Sequence, residues 1–340
     1  MVQLGDKDLF VAFRLPKANS FSLVIDEAIQ DPAYRFVIHP FDKSGPTPSV
    51  AIHSNTLEQN QVFEFRTHRQ CNNTPTSKSE YLDLAESVID RMNATSLEKI
   101  VLSRTHHVPN HDTDLFELFD NLMSAYPNAF VYLYNIPGQG AWMGATPEIL
   151  IEEDPTYITT VALAATQKIA GRTAEEVEWN AKEIEEQAII QRYIEQQLNQ
   201  DGQTFEKGKT YTTTAGNVFH LKTVYQIQTS DANLDDLVEL LHPGPAICGM
   251  PKPEAKSIIL NEENHDRKYY CGYLGLKTKS NTGLFINLRC MEIFNDQFVL
   301  YVGGGLTKDS SATSEWEETV LKSKTLDAVI QKSKTYAHDH

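Results

Sequence analysis

Two pairs of glutamates, each spaced so that a helix would place both on one face, are the clearest candidates for chemistry in this sequence. Glu183 and Glu186 are three residues apart, and Glu315 and Glu318 repeat that spacing near the C-terminus. The first pair shares a predicted helical stripe with large apolar residues, which is typical of a face that packs on a core. The stripe contains Trp179, Glu183, Glu186, Ile190 and Tyr193. Inward-facing carboxylates repel each other unless a cation lies between them, and oxygen ligands favour Mg²⁺.

The same segments also suit solvated helix faces. Acidic helices are common, and Glu318 with Lys322 makes an ordinary pair four residues apart. Spacing alone therefore leaves two hypotheses open, a metal site and a charged surface.

Composition excludes several classes of function. The chain has 340 residues, 41% hydrophobic and 22% charged, which is ordinary for a globular protein. Its net charge of −16 disfavours binding to nucleic acid or to anionic membranes. No run of 18 apolar residues predicts a membrane span, and residues 1–16 lack the basic and apolar regions of a signal peptide, so we expect a cytoplasmic protein. The four cysteines are scattered without a CxxC pair, which predicts reduced thiols.

Apolar periodicity predicts the elements that must position these residues. Predicted strands cover 9–15, 21–25, 35–39, 98–108, 129–136, 147–153, 218–228, 283–294 and 297–305. Predicted helices cover 80–92, 114–125, 174–199 and 233–241, with a terminal helix from 314, a linker at 70–79 and a loop at 241–255. Neighbouring strands near the C-terminus suggest antiparallel pairing, hence an α+β fold of layered sheets with flanking helices. We expect an N-terminal β-rich part (1–75) and a catalytic region (76–340) in one continuous unit.

Nine segments, taken in order, carry a family resemblance. They are KIVLSR (99–104), ATPEILI (145–151), LAATQ (163–167), AKEIEEQ (181–187), FHLKT (219–223), LHPGPAICGMPKPEA (241–255), RKYYCG (267–272), NLRCMEIF (287–294) and VGGGLTKDSSATSEWEET (302–319). Together they resemble the chorismate-binding family, which includes anthranilate synthase component I, aminodeoxychorismate synthase component I, isochorismate synthase and salicylate synthase. The resemblance covers residues 95–325. It implies a large layered α/β sandwich of antiparallel sheets around a deep cleft, like that of anthranilate synthase component I.

The resemblance also implies roles for matching residues. Glu186 and Glu318 look like direct Mg²⁺ ligands that Glu183 and Glu315 support, and the metal would hold the ring carboxylate of chorismate. Further residues match positions that bind or line the substrate, with Arg289 and Tyr270 at its other carboxylate. These substrate-binding candidates are Thr166, Tyr270, Arg289, Gly303, Gly305 and Lys322. A guanidinium suits two carboxylate oxygens, and glycines let backbone N–H groups approach a carboxylate closely. His220 and His242 also match family positions, and we expect them to be structural.

Three positions separate the members of the family by reaction. Lys99 stands where water-adding members resemble one another in having lysine, and we expect it to be the base that deprotonates water. Glu148 resembles the acid that protonates the departing C4 hydroxyl, which requires a raised pKa. Ala164 stands where aminodeoxychorismate synthases have a nucleophilic lysine. This combination predicts an isochorismate synthase, whose product serves menaquinone or siderophore synthesis.

Other interpretations stay open at this point. Salicylate synthase has the same motif residues and eliminates pyruvate after forming isochorismate. A non-catalytic relative, or a structural protein that binds Mg²⁺, is disfavoured because Lys99, Glu148 and the glutamates are all present. Gln167 and Gln187 depart from the arginine and histidine usual in relatives, and Gln167 removes a cation from the cleft. No glutaminase segment is visible, so we expect a monomer without an ammonia-supplying partner.

Overall fold

The computed structural model describes residues 1–215 and 218–337, except the side chains of Thr166, Ala215, Asp231 and residues 334–337. The helices in this part of the chain are α1 (Lys78–Met92), α2 (Leu115–Ala125), α3 (Ala181–Gln200), α4 (Leu234–Leu241), α5 (Lys252–Glu262) and α6 (Ala312–Ala337). The strands are β1 (Val2–Leu4), β2 (Phe10–Arg14), β3 (Ser22–Ile25), β4 (Tyr34–His39), β5 (Val50–Ser54), β6 (Glu58–Gln59), β7 (Phe63–Phe65), β8 (Lys99–Pro109), β9 (Phe130–Ile136), β10 (Gly140–Thr146), β11 (Ile149–Glu153), β12 (Tyr157–Lys168), β13 (Phe205–Lys207), β14 (Tyr211–Ala215), β15 (Val218–Gln228), β16 (Gly249–Met250), β17 (Tyr273–Thr278), β18 (Thr282–Ile286), β19 (Cys290–Ile293) and β20 (Gln297–Leu306). None of the described helices is both long and apolar enough to cross a membrane.

Two antiparallel sheets form the layers of the fold. Within the described residues, the first sheet has the strand order β16-β8-β20-β19-β10-β9-β2-β3-β6. The second has the order β13-β15-β12-β11-β18-β17-β4-β5, and β14 also pairs with β15. The predicted α+β sandwich of antiparallel sheets is confirmed. Strands from the first 75 residues lie in both sheets, and the division at residue 75 stays a prediction.

The central strand β9 shows how the layers pack. Phe130 and Tyr132 lie in the core between the sheets, where Phe130 stacks on Phe285 of β18 at a centroid distance of 4.5 Å. Val131 and Leu133 lie in a second core on the opposite face, which α2 and α6 cover. The first sheet is therefore buried on both faces, which explains why β9 is a continuous apolar run rather than an alternating one.

The long helix predicted over 174–199 begins later than expected. A short 3₁₀ turn occupies Ala174–Glu176, and α3 starts only after Asn180. The Asn180 side chain accepts the backbone N–H of Glu183, whose carboxylate accepts the backbone N–H of Asn180, and this capping box fixes the helix start. The inclusion of Trp179 in the helical stripe was therefore wrong. Its indole instead donates to Thr212 Oγ1 at 3.0 Å.

Two further predictions about secondary structure were wrong. The single strand over 283–294 is two strands, with β18 in the second sheet and β19 in the first. The chain crosses between the layers at residues 287–289, where Arg289 has a φ of 50°. The predicted loop at 241–255 contains the first turn of α5, because its prolines are tolerated before and within a first helical turn.

A buried ion pair holds the strand β8 in place. Arg267 donates to Glu263 Oε1 at 2.6 Å, and the two side chains are 2% and 0% exposed. Glu263 also accepts the backbone N–H of Ser103 at 2.7 Å, and Arg267 donates to the carbonyl of Val101 at 2.6 Å. Both ends of the pair therefore hold β8, the strand that begins at Lys99.

We predict that Arg267→Met destabilises the protein by about 3–5 kcal/mol, because it leaves the Glu263 carboxylate buried and unpaired. The matched control is Arg91→Met, which removes a half-exposed pair with Glu262 and should cost about 0–1 kcal/mol. Urea unfolding followed by circular dichroism measures both free energies. Equal losses in the two variants would contradict this account of β8.

Candidate active site

Lys99 begins β8 and lies inside the protein. The residue is 7% exposed, so it is not a surface lysine. Gly305 of the neighbouring strand β20 makes room for the side chain, since a β-carbon there would lie 3.3 Å from Lys99 Cε. Gly305 therefore leaves space beside the lysine, whereas the expected contact of the Gly303 and Gly305 N–H groups with a carboxylate stays a prediction.

The charges around Lys99 act in opposite directions on its pKa. Burial lowers the pKa of the amine, and the nearby ammonium of Lys322 lowers it further. The carboxylates of Glu186, Glu315 and Glu318 raise it, but burial prevails and the pKa lies below its usual value. Negative charges from both predicted glutamate pairs therefore act on the lysine.

Glu148 lies at the junction of β10 and β11. Its carbonyl accepts the backbone N–H of Ile286 at 2.9 Å, and its own N–H donates to Thr146 Oγ1 at 3.3 Å. Burial raises the pKa of Glu148 to about 7, although Arg289, Lys222 and Lys99 each favour the carboxylate. An acid with this pKa holds its proton near neutral pH, as a proton donor must.

An apolar cavity explains the desolvation of Glu148. It has a volume of about 50 Å³ and lies between the second sheet, α3 and the loop that follows α4. Glu148 is its one acidic lining residue among those described, and Leu150, Ile190, Tyr193 and Leu241 form much of the wall. Such walls offer the carboxylate no solvation, so they favour its neutral form.

Arg289 and Tyr270 lie on two connected loops. The N–H of Cys271 donates to the carbonyl of Asn287 at 2.9 Å, so the loops hold each other. Tyr270 is 3% exposed and stacks on Tyr301, and its hydroxyl lies 2.9 Å from the β-carbon position of Gly303. The Arg289 guanidinium makes no hydrogen bond or ion pair with the described residues, and burial lowers its pKa. A half-buried arginine of this kind is suited to an anionic ligand.

Four residues in the segments that carry the family resemblance have a strained backbone. The non-glycine residues Ala165, Lys268, Cys271 and Arg289 have φ values of 57°, 48°, 60° and 50°. His220 donates to the carbonyl of Ala165 at 2.7 Å and His242 to that of Cys271 at 2.9 Å, so the histidines hold strained turns. Positive φ costs about 1–3 kcal/mol per residue and is typical of functional sites.

Hydrogen bonds hold the Glu183 carboxylate at the start of α3. Glu183 Oε2 accepts the capping N–H at 2.9 Å and Gln167 Nε2 at 2.8 Å, while Arg172 donates to Gln167 Oε1 at 3.1 Å. Gln167 thus links the Glu183 carboxylate to the guanidinium of Arg172 through two hydrogen bonds. Gln187 is buried and donates to the carbonyl of Ala162 and to the hydroxyl of Thr223, both at 3.1 Å, so it holds α3 on the second sheet.

The glutamates of α6 differ from each other. Glu318 pairs with Lys322 at 2.7 Å, and Lys322 also donates to the carbonyl of Gly303 at 2.9 Å. Glu315 is 5% exposed, and its Oε1 accepts from Ser310 Oγ at 3.1 Å. Its Oε2 is buried without a hydrogen-bond partner, and burial together with Glu318 raises its pKa.

The donor chemistry of the four glutamates fits a hard cation. All the candidate ligands are carboxylates, and the unpartnered Oε2 of Glu315 is an acceptor that a cation would satisfy. In the described part of the chain, no three acidic, histidine or cysteine side chains already converge as metal ligands. The predicted substrate-binding residue Thr166 lies in β12, and its side chain is outside the described residues.

Sequence analysis missed two cations of the site. Lys222 acts on Glu148, and it pairs across the sheet with Leu163 at the start of LAATQ. Its place in FHLKT, two residues after His220, was the available signal. Arg104 ends the segment KIVLSR and is buried, with Nε donating to Thr319 Oγ1 at 2.7 Å. It connects β8 to α6, which carries the second glutamate pair.

The chain is similar to a known family of enzymes and to characterised relatives. The family model described as chorismate binding enzyme matches residues 47–331. The chain is 26% identical over 312 residues to the vibriobactin-specific isochorismate synthase of Vibrio cholerae, covering 86% of this chain and 78% of that protein. It is 27% identical over 266 residues to the isochorismate synthase DhbC of Bacillus subtilis, covering 73% of this chain and 66% of that protein.

Solved structures share the fold. The menaquinone-specific isochorismate synthase MenF of Escherichia coli superposes with a TM-score of 0.79 at 17% identity, over 96% of this chain and 89% of that one. Anthranilate synthase component I of Streptococcus pneumoniae gives 0.73 at 16% identity, over 94% and 90%. The expected likeness to anthranilate synthase component I is therefore confirmed for the fold.

We predict that Glu148→Gln becomes more stable than the wild type as the pH rises. The native protein holds the Glu148 proton up to about pH 7, whereas an unfolded chain releases it near the ordinary value of 4.5. Between these values the native state binds more protons, so wild-type stability falls with rising pH while that of the amide variant does not. The difference should reach about 3 kcal/mol at pH 8 and nearly vanish at pH 4.5 in urea unfolding. The exposed Glu152→Gln is the control, and a gain as large there would refute the assignment.

Proposed function

Since the chain belongs to the chorismate-binding enzyme family, we propose that it is an isochorismate synthase that converts chorismate to isochorismate with Mg²⁺. One observation carries the proposal. A buried lysine with a lowered pKa acts electrostatically on a half-buried glutamate with a pKa of about 7. Burial makes the lysine amine easier to deprotonate, and the glutamate holds its proton near neutral pH, so the two supply the base and the acid that water addition with loss of hydroxide requires. The two curated relatives described above bear the name isochorismate synthase, which supports the same reaction.

Lys99 is the proposed base. Its neutral amine removes a proton from water as the water oxygen forms a bond to C2 of chorismate. The ring double bonds shift, and the C4 hydroxyl departs. Burial supports this role because it increases the neutral fraction of the amine. Glu148 is the proposed acid, and it gives its proton to the departing hydroxyl, which leaves as water. One water is consumed and one released, so chorismate and isochorismate are isomers.

Cationic side chains would bind the substrate carboxylates. Arg289 and Tyr270 are proposed to bind the enolpyruvyl carboxylate, close to Gly303, while Gly305 gives Lys99 its space. Lys322 is proposed to lie near the metal-bound ring carboxylate, and Thr166 is proposed to line the cleft. Glu186 and Glu318, supported by Glu183 and Glu315, would hold Mg²⁺ after Glu318 exchanges its contact with Lys322. The cation would neutralise the ring carboxylate and orient the ring.

The chain's own residues favour water over an amine nucleophile. Ala164 offers no side-chain nucleophile in β12. Lys99 supplies the proton acceptor that water needs and ammonia does not. We therefore propose that the protein acts as a monomer without a glutaminase partner. Salicylate synthase remains the second candidate because pyruvate elimination from isochorismate needs no further acid or base.

We predict that the protein converts chorismate to isochorismate in a reaction that needs Mg²⁺. In water enriched in ¹⁸O, mass analysis should find one heavy oxygen at C2, because the new hydroxyl comes from solvent and the C4 hydroxyl is lost. Unlabelled isochorismate would mean that the hydroxyl migrates within the substrate. Undiminished turnover in excess chelator would reject the metal, and pyruvate forming in step with salicylate would favour the second candidate.

We predict that Lys99→Ala lowers kcat by about 10²–10⁴-fold, the usual contribution of a general base. A small primary amine in the buffer should restore part of the rate by replacing the missing base. Lys222→Ala is the matched control, because it removes another lysine that acts on Glu148 but leaves the proposed base in place. Its loss should appear mainly in KM and should not respond to the amine. Failure of any amine to rescue Lys99→Ala while the variant remains folded would count against the proposed role.

A further inference from the structure

Two buried polar atoms without hydrogen-bond partners lie near each other beside Gly304 of β20. They are Tyr81 Oη of α1 and Glu315 Oε2 of α6, in residues that are 2% and 5% exposed. A β-carbon on Gly304 would lie 2.9 Å from Glu315 Oε2 and 3.5 Å from Tyr81 Oη. An unused donor and an unused acceptor therefore border the same small volume. Buried polar groups are nearly always satisfied, so this pair needs a physical explanation.

Packing fixes the position of the Tyr81 hydroxyl independently of Glu315. The ring of Tyr81 packs against Trp316 at a centroid distance of 5.6 Å, and Arg104 covers Trp316 at 4.3 Å. Tyr81 lies in the first turn of α1, directly after Glu80, which forms a capping box with Ser77. The hydroxyl is thus held by a rigid helix start and by an aromatic contact.

We infer that Tyr81 is a positioning residue for Glu315, whose free carboxylate oxygen would accept a hydrogen bond from the Tyr81 hydroxyl as the carboxylate turns to bind the cation. Ser310 Oγ already donates to Glu315 Oε1 at 3.1 Å, so one carboxylate oxygen is held. The Tyr81 hydroxyl is a donor without a partner that borders the same small volume as the other oxygen, beside Gly304. Donors on two separate elements restrict the carboxylate to one orientation and reduce the freedom that it loses when it binds a cation.

The inference rests on the proposed function only for the identity of the ligand, a divalent cation. Tyr81 itself lies before residue 95, outside the segments that carry the family resemblance. The role of the tyrosine therefore comes from its contacts with α6 and from its unpartnered hydroxyl. A merely structural tyrosine would stabilise the fold without affecting cation binding, and this difference can be measured.

The test measures binding of Mn²⁺, a paramagnetic substitute for Mg²⁺, to the full chain without chorismate, with free Mn²⁺ counted by electron paramagnetic resonance. Tyr81→Phe should weaken binding about 10-fold, the usual effect of removing a group that orients a metal ligand. The control is Tyr134→Phe, which also deletes a buried hydroxyl without a partner, in the core between the sheets. It should leave the affinity unchanged. In a Glu315→Gln background, Tyr81→Phe should have no further effect.

Thermal unfolding without metal completes the test. Neither phenylalanine variant loses a hydrogen bond found in the structure, so both should unfold within a few degrees of the wild type. An equal Mn²⁺ affinity of Tyr81→Phe and wild type would overturn the inference while leaving the proposed function intact. A wild-type chain that binds no Mn²⁺ would overturn the cation site of the proposed function and this inference with it. Weaker binding in both backgrounds would show that Tyr81 acts other than through Glu315 and would also overturn the inference.

Discussion

Burial of opposite charges in one cleft is the constraint on which the rest of the site depends. Lys99 and Glu148 are both withdrawn from water, and burial moves their pKa values toward neutrality from opposite sides. This desolvation requires apolar surroundings that offer the charged groups no hydrogen bonds. The apolar cavity beside Glu148 provides such surroundings for its carboxyl group. Desolvation also needs a rigid frame, because a mobile lysine would reach solvent and regain its usual pKa.

Buried ion pairs away from the cleft supply part of that frame. Glu263 with Arg267 holds β8, and Glu292, which is fully buried, accepts from Lys268 at 2.7 Å. Lys268 precedes Tyr270 by two residues and has a positive φ, so the second pair holds the strained turn that carries the tyrosine. Such pairs add little net stability but are costly to break, so they specify one arrangement of the loops.

Sequence analysis predicted the layered α+β fold and the elements that carry the site, but not their boundaries. The helix α3 starts late because Asn180 and Glu183 cap each other, a local contact that the acidic run hides. The run 283–294 seemed one strand because both halves are apolar, although they belong to different sheets. The burial of Lys99 could not be predicted, since it depends on Gly305 in a strand about 200 residues away along the chain.

The glutamates of α3 and α6 link binding of the cation to the protonation of Lys99. Glu186, Glu315 and Glu318 favour the ammonium form of Lys99, and the same residues are proposed to hold the cation. When a cation offsets their charge, burial and Lys322 remain, and both favour the neutral amine. A cation that binds the substrate carboxylate would therefore also prepare the base. The glutamates therefore oppose the neutral form of Lys99, and a bound cation would weaken that opposition.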